Sequence, residues 1–237
     1  MANRFKSLAH RFSFFRLPIM AGPLRGKWWS PFSRGKVLRY LTGSYEPEQV
    51  RYFLENLNTG ATVFDIGANL GYYTLLFSQC VGETGRVVAF EPSPQVVHFL
   101  NCHVRANRLT NVDIVQAAAG ATSGRIRFDT QSGSGTGRVT EAGESEVEVC
   151  RLDEKATEMN VWPDFLKVDV EGFAGDVLAG ASEILSVSRP TIYLSLHGKL
   201  EKAQCTEVLK RHDYQFHATE DGELICQRLP VRSKHVA

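Results

Sequence analysis

From Glu48 onward, apolar and polar positions alternate between two kinds of pattern: short apolar runs and longer stretches with one apolar face. The longer stretches predict helices over Glu48–Leu57, Gly71–Cys80, Gln95–Asn107, Ala174–Leu185 and Leu200–His212. The short runs predict strands over Ala61–Ile66, Gly85–Phe90, Val112–Ala117, Phe165–Val170 and Thr191–Leu196. Arg125–Phe128 and Glu146–Leu152 read as two further strands, and the stretch between them, QSGSGTG at Gln131–Gly137, has no apolar anchor. Tyr214–Thr219 and Glu223–Leu229 join across Asp221-Gly222, a pair that favours a tight hairpin. Strands alternating with helices imply an α/β domain: a mostly parallel sheet, helices on both faces, and an antiparallel element at one edge.

Residues 1–45 break this rhythm. Phe5, Leu8, Ala9, Phe12 and Phe15 share one face of a helix that Pro18 ends, and residues 21–36, rich in Gly, Pro, Ser and Trp, read as a connecting segment. The chain therefore divides into an N-terminal arm with its connector (1–45) and one domain (46–237).

Charge sharpens that division. The net charge of the 237 residues is +1, but residues 1–45 carry nine basic side chains and no acid, which leaves 18 basic against 26 acidic residues, a net of −8, for the rest. Such an arm fits a helix docked on the domain or a partner, a loose tail, or peripheral contact of residues 1–20 with an anionic membrane. No apolar stretch approaches the ~20 residues of a membrane span, and Arg11 and Arg16 interrupt any signal-peptide core. The five cysteines are scattered without a C-x-x-C pair, which points to reduced thiols and a cytoplasmic setting. His98, Cys102 and His103 fit a helix of mixed faces with no second ligand pair at zinc spacing, so no metal site is assigned.

The polar groups collect at strand ends. Asp65 follows Val63-Phe64, Glu91 follows Val87–Phe90, Asp169 and Glu171 close LKVDVEG, and His197 follows Ile192–Leu196. In a parallel sheet these ends share one edge, beyond which ligands bind. In VFDIGANLGYYT, Gly67 and Gly71 permit a tight turn and close approach of backbone to a ligand, with Asn69 between them, and the following helix opens with free N–H groups. Glu91 stands 20 residues past Gly71, where an acid accepts hydrogen bonds from ribose hydroxyls. A nucleoside-containing cofactor is indicated. The spacing is not G-x-G-x-x-G, and Asp65 would repel a diphosphate; a carboxylate suits a cationic cofactor such as S-adenosylmethionine. The absence of a G-x-x-x-x-G-K-[ST] loop disfavours nucleotide hydrolysis.

VFDIGANLGYYT, GRVVAFEPSP, LTNVDIVQAAAG and LKVDVEGFAGDVLAGA together resemble the FkbM-type methyltransferases, a branch of the class I S-adenosylmethionine-dependent enzymes; GSYEPEQ and RPTIYLSLHG also fit. The resemblance covers roughly residues 40–200 and implies a Rossmann-like, seven-stranded sheet of order 3-2-1-4-5-7-6 with strand 7 antiparallel. By the same resemblance, Asp65, Gly67, Asn69 and Gly71 bind the cofactor at its methionine end and Glu91 holds its ribose. Residues 113–118 lie near the adenine. Asp169, a cofactor and catalytic residue, and Glu171 face the methyl group and acceptor.

The chain departs from the family at Ala174 and Ser195, where an acid is often found. The implied activity is O-methylation of a hydroxyl on a small molecule such as a sugar, glycolipid or polyketide. His197, Asp169 and Glu171 are the base candidates in that order; alternatively the two acids hold a divalent metal. The competing reading is a non-catalytic, methyltransferase-like binding module recruited through its basic arm. Nucleic acid is disfavoured as a substrate, because the body is acidic and N/D-P-P-Y/F is absent.

Overall fold

The computed structural model describes residues 15–33, 36–129, 138–139, 145–196, 198–220 and 222–228. The arm helix beginning at Phe5, the QSGSGTG stretch, Asp221 and His197 lie outside these residues.

Seven strands form the main sheet: β1 (Thr62–Ile66), β2 (Arg86–Phe90), β3 (Val112–Val115), β4 (Phe165–Asp169), β5 (Thr191–Ser195), β6 (Tyr214–Ala218) and β7 (Leu224–Arg228). Their spatial order is 6-7-5-4-1-2-3, which read from the other edge is 3-2-1-4-5-7-6. β7 runs antiparallel to β5 and β6, and the remaining neighbours are parallel. The helices are α1 (Val37–Thr42), α2 (Pro47–Asn56), α3 (Tyr72–Val81), α4 (Pro94–Ala106), α5 (Leu152–Met159), α6 (Ala174–Ala179), α7 (Ser182–Val187) and α8 (Lys199–Arg211).

Period-two alternation divides each central strand between two cores. Phe64, Ile66, Val88, Leu166, Val168, Ile192 and Leu194 point to one face, where Leu152, Val177, Leu185 and Leu209 from α5–α8 cover them. Val63, Val87, Phe165 and Tyr193 point to the other, against Phe53, Leu76 and Phe77 of α2 and α3. Burial on both faces explains the near-continuous apolar runs of these strands.

The N-terminal segment does not end where its composition changes. Ile19, Leu24, Trp29 and Tyr40 are buried in the same core as Phe53 and Phe77, so the boundary placed at residue 45 falls inside a packed unit. Leu17–Pro18 pairs with Trp28–Trp29, and Trp29 stacks on His103 with ring centroids 3.8 Å apart. His103 Nε2 accepts the Ser30 N–H at 3.0 Å and Nδ1 lies 2.8 Å from the Leu70 carbonyl. Burial lowers its pKa to about 4, so it is a neutral structural group with both ring nitrogens engaged.

Three other elements differ from expectation. Ala174–Leu185 is two helices rather than one. A Cβ on Gly180 would sit 2.0 Å from the Gly120 carbonyl oxygen, and the Asp153 carboxylate accepts the N–H groups of Glu183 and Ile184 at 3.1 and 3.0 Å, starting α7 afresh. The strand expected over Glu146–Leu152 stops at Cys150, and Leu152 begins α5. The run expected over Val112–Ala117 stops at Val115; Ala118–Ala119 instead joins a second sheet with Ser145–Cys150, Gly124–Asp129 and Arg138–Val139. Among the described residues no helix is long and apolar enough to cross a membrane.

Candidate active site

Ile66, Phe90, Asp169 and Ser195, each the last residue of its strand, border one cavity of about 350 Å³. The order 5-4-1-2-3 fixes the sequence of groups along its rim. Towards β3 the walls are apolar: Phe90, Pro92, Val96 and Ala117–Ala119. At the centre lie Gly67, Asn69 and Glu91, and towards β5 Tyr45, Glu46, Tyr73, Lys167, Asp169, Glu171 and Ser195.

Glu91 is held from both sides. Its Oε2 accepts the Asn69 N–H at 3.1 Å and its Oε1 the Ser93 N–H at 2.9 Å. Burial raises its pKa to about 7 against the pull of these two donors. Each oxygen keeps a further lone pair for a ligand hydroxyl. Asn69 reaches this position with φ +50°, so its backbone, rather than its side chain, fixes the carboxylate.

The two glycines make the tight turn expected from sequence, both at positive φ, and both also meet other protein atoms closely. A Cβ on Gly67, at φ +79°, would lie 2.1 Å from the Asp169 carbonyl oxygen; one on Gly71, at φ +90°, would lie 2.4 Å from Leu100 Cδ1. Gly67 borders the cavity, whereas Gly71 is not among the lining residues. Gly67→Ala is expected to cost more than ~1 kcal/mol of stability, measurable by urea denaturation.

Asp65 is also displaced from its expected place. It is 0% exposed, its Oδ2 accepts the Thr74 hydroxyl at 2.7 Å, and it does not border the cavity. Strand register explains this: Asp65 stands directly beside Lys167 on the face shared with Val63 and Phe165. Lys167, 1% exposed, donates to Asp169 Oδ2 at 3.1 Å, lies 3.8 Å from Asp65 Oδ1 and sits 4.9 Å from the Tyr73 ring centroid. Burial opposes its charge, but Asp169 and Asp65 outweigh that and hold it protonated, while burial raises Asp65, the more distant acid. Lys167 therefore brings a buried cation to the cavity wall, which Lys36 also borders, and it is not among the site residues expected from sequence. Its signal was legible as a charge in the middle of a strand otherwise buried on both faces.

Glu46 was also missed as a site residue, although GSYEPEQ contains it. Its backbone takes φ +41° just before Pro47, which opens α2. The Tyr73 hydroxyl lies 2.7 Å from Glu46 Oε2 and 2.9 Å from Gln49 Oε1 and donates to one at a time. Lys36 Nζ lies 3.3 Å from Glu46 Oε1. Burial pushes the Tyr45 and Tyr73 hydroxyls far above the ordinary phenol range, so both stay neutral. Asp113 pairs with Arg86 at 2.7 Å and does not border the cavity. Among the described residues no three His, Cys, Asp or Glu side chains form a group able to hold a metal.

A parallel sheet with this order, carrying a buried acid beyond β2 beside an apolar slot, defines a class I nucleoside-cofactor fold. The chain belongs to the FkbM methyltransferase family, whose methyltransferase FkbM domain matches residues 65–227. Methyltransferase FkbM from Methylobacillus flagellatus KT superposes with a TM-score of 0.54 at 19% identity, covering 95% of this chain and 57% of that one. A protein described as an rRNA-methylase from Clostridium thermocellum gives 0.53 at 13% identity, over 78% of this chain and 95% of that one. An rRNA methylase from Streptococcus thermophilus gives 0.51 at 10% identity, over 77% and 95%. No curated protein matches the chain by sequence. The family is one of S-adenosylmethionine-dependent methyltransferases, and S-adenosylmethionine is the cofactor.

The residues present fit that cofactor. Glu91 offers lone pairs to a diol, the slot at Pro92, Val96 and Ala117–Ala119 suits a flat base, and Lys167 with Asp169 and Glu46 matches a zwitterionic amino acid end. The ionised form of Glu91 can accept from both ribose hydroxyls. Affinity is thus expected to rise with pH, by up to about tenfold per unit below a pKa of about 7, and then level off. Folding of the unliganded protein has the opposite sign: the raised pKa contributes stability below the ordinary carboxylate value that is lost as pH rises through about 7. Titration calorimetry across this range checks the first trend, and Glu91→Gln should flatten it.

Proposed function

We propose that the protein methylates a hydroxyl oxygen of a small molecule of the sugar, polyketide or glycolipid class. The observation that carries this reading is the β5-side end of the cavity. There Glu171, Ser195 and Glu223 border the cavity alongside the groups assigned to the cofactor's amino acid end, a surface with polar partners for a polyol.

S-adenosylmethionine supplies a methyl group already made electrophilic by its sulfonium. The protein's part is to position and to take a proton. Glu91, fixed by two backbone donors, sets the depth of the nucleoside, and alignment of this kind contributes on the order of 7–11 kcal/mol. Lys167 donates to Asp169 Oδ2 and fixes that carboxylate at the cavity wall. The proton of the acceptor hydroxyl then passes to Glu171 or His197, and general-base help adds roughly 10²–10⁴-fold. Glu171 borders the cavity, and His197 follows the cavity residue Ser195 by two positions.

The test is methyl-labelled S-adenosylmethionine with cell extract, followed by mass analysis of the product. Label on an oxygen supports the reading. Label on nitrogen or carbon rejects it, and no turnover with any hydroxylated acceptor favours the binding-module alternative.

A further inference from the structure

The segment that enters the core through Ile19, Leu24 and Trp29 also carries a second set of apolar residues that face solvent: Phe15, Leu17, Met20, Trp28, Phe32 and Leu38. Met20 is 62% exposed, Trp28 45% and Leu38 79%. Leu17 and Trp28 are presented by paired backbone, Leu17–Pro18 against Trp28–Trp29. Trp29 is turned inward onto His103, so alternation turns Trp28 outward. Asn107 clamps Trp28 there, accepting its N–H at 2.7 Å and donating to its carbonyl at 2.9 Å.

The charged residues within these segments have one sign. Residues 15–45 include Arg16, Arg25, Lys27, Lys36 and Arg39 and no acid. Residues 92–112, to which Trp28 is tied through Asn107, add Arg105 and Arg108 and no acid. Lys36 is taken up by Glu46, but Arg25, Arg39, Arg105 and Arg108 are exposed. The rest of residues 46–237, without 92–112, holds 16 basic and 26 acidic residues, a net of −10. Charge is therefore unevenly distributed, and six of the nine large apolar residues exposed among the described residues lie in the basic segment, the others being Leu54, Val187 and Leu200.

We propose that this end docks on the surface of an anionic lipid bilayer, with Met20, Trp28, Phe32 and Leu38 in the headgroup boundary and the arginines on lipid phosphates. Indole and aliphatic groups set among cations suit that interface. Nucleic acid would use the arginines but would gain little from Met20 or Leu38. A symmetric dimer through this face would set like charges against each other. α1 links the face to the cavity, because Tyr40 lines the cavity while Leu38 and Arg39 face out. An amphiphilic acceptor drawn from the bilayer follows as a corollary, and that corollary alone rests on the proposed methyltransferase reading.

The experiment is co-sedimentation of the full chain with vesicles of phosphatidylcholine, with or without ~30% phosphatidylglycerol. Binding is expected to the anionic vesicles, and added salt should weaken it. Arg25→Glu with Arg39→Glu should reduce it at least about tenfold, at ~1 kcal/mol per basic residue. Trp28→Ser with Leu38→Ser should reduce it as well. Unchanged S-adenosylmethionine affinity by calorimetry shows that each variant is folded. Absent binding, equal binding to neutral vesicles, or indifference to both pairs of substitutions overturns the proposal. So does retention of single-stranded RNA that the same variants lose, or a wild-type dimer that they convert to monomer. Vesicle binding that fails while cofactor binding persists removes the docking and leaves the enzyme reading intact; the reverse result does the opposite.

Discussion

Glu91→Ala is expected to weaken S-adenosylmethionine binding by roughly 10²–10⁴-fold, because two hydrogen bonds to an ionised acceptor contribute ~1.5–3 kcal/mol each. The saturated rate should fall much less, since the ribose lies away from the reacting methyl group and its binding energy is shared by ground and transition states. The substitution also strips the Asn69 and Ser93 N–H groups of their acceptor, which adds a structural contribution to the loss. A cofactor analogue lacking one ribose hydroxyl separates the two contributions. It should bind the natural protein poorly, yet bind the variant about as well as the full cofactor does. Equal discrimination by both proteins, measured by calorimetry, would remove Glu91 from the ribose.

Lys167→Met should produce the largest loss of stability. Removing the ammonium leaves Asp65 fully buried and Asp169 half-buried, without the cation between them. Breaking a buried ion pair from one side costs ~3–5 kcal/mol. For a chain of this size that corresponds to a melting temperature lower by roughly 6–20 °C. The deficit should be full at neutral pH and shrink as pH falls, because protonation neutralises carboxylates that no longer have a partner. Combining Lys167→Met with Asp65→Asn should recover part of the loss. Thermal melts of the two variants at two pH values check both statements, and a Lys167→Met protein with an unchanged midpoint would show that the triad contributes nothing.

Local pattern was enough to read the sheet strands and most helices, because strands buried on both faces and amphipathic helices carry their own periodicity. Glu91 was legible for the same reason: a strand end followed by an acid is a local signal, and the structure places that acid on the cavity wall. The break in Ala174–Leu185 was not, since it depends on Gly180 meeting the Gly120 carbonyl and on Asp153 capping from a distant helix. The packing of Ile19, Leu24, Trp29, Tyr40 and Leu41 was hidden by a composition that resembles a linker. Its apolar residues are irregularly spaced, and their partners, such as His103, lie far along the chain.

By itself the sequence determined the family, the cofactor and the edge of the sheet where the cavity lies, since glycine turns and strand-end acids are written in consecutive residues. Only the tertiary structure decided which of those acids meets the cavity. Parallel register sets Asp65 beside Lys167, and that pairing turns one expected ligand inward while bringing an unexpected cation to the wall. Register is a relation between strands a hundred residues apart, and short-range spacing carries no record of it.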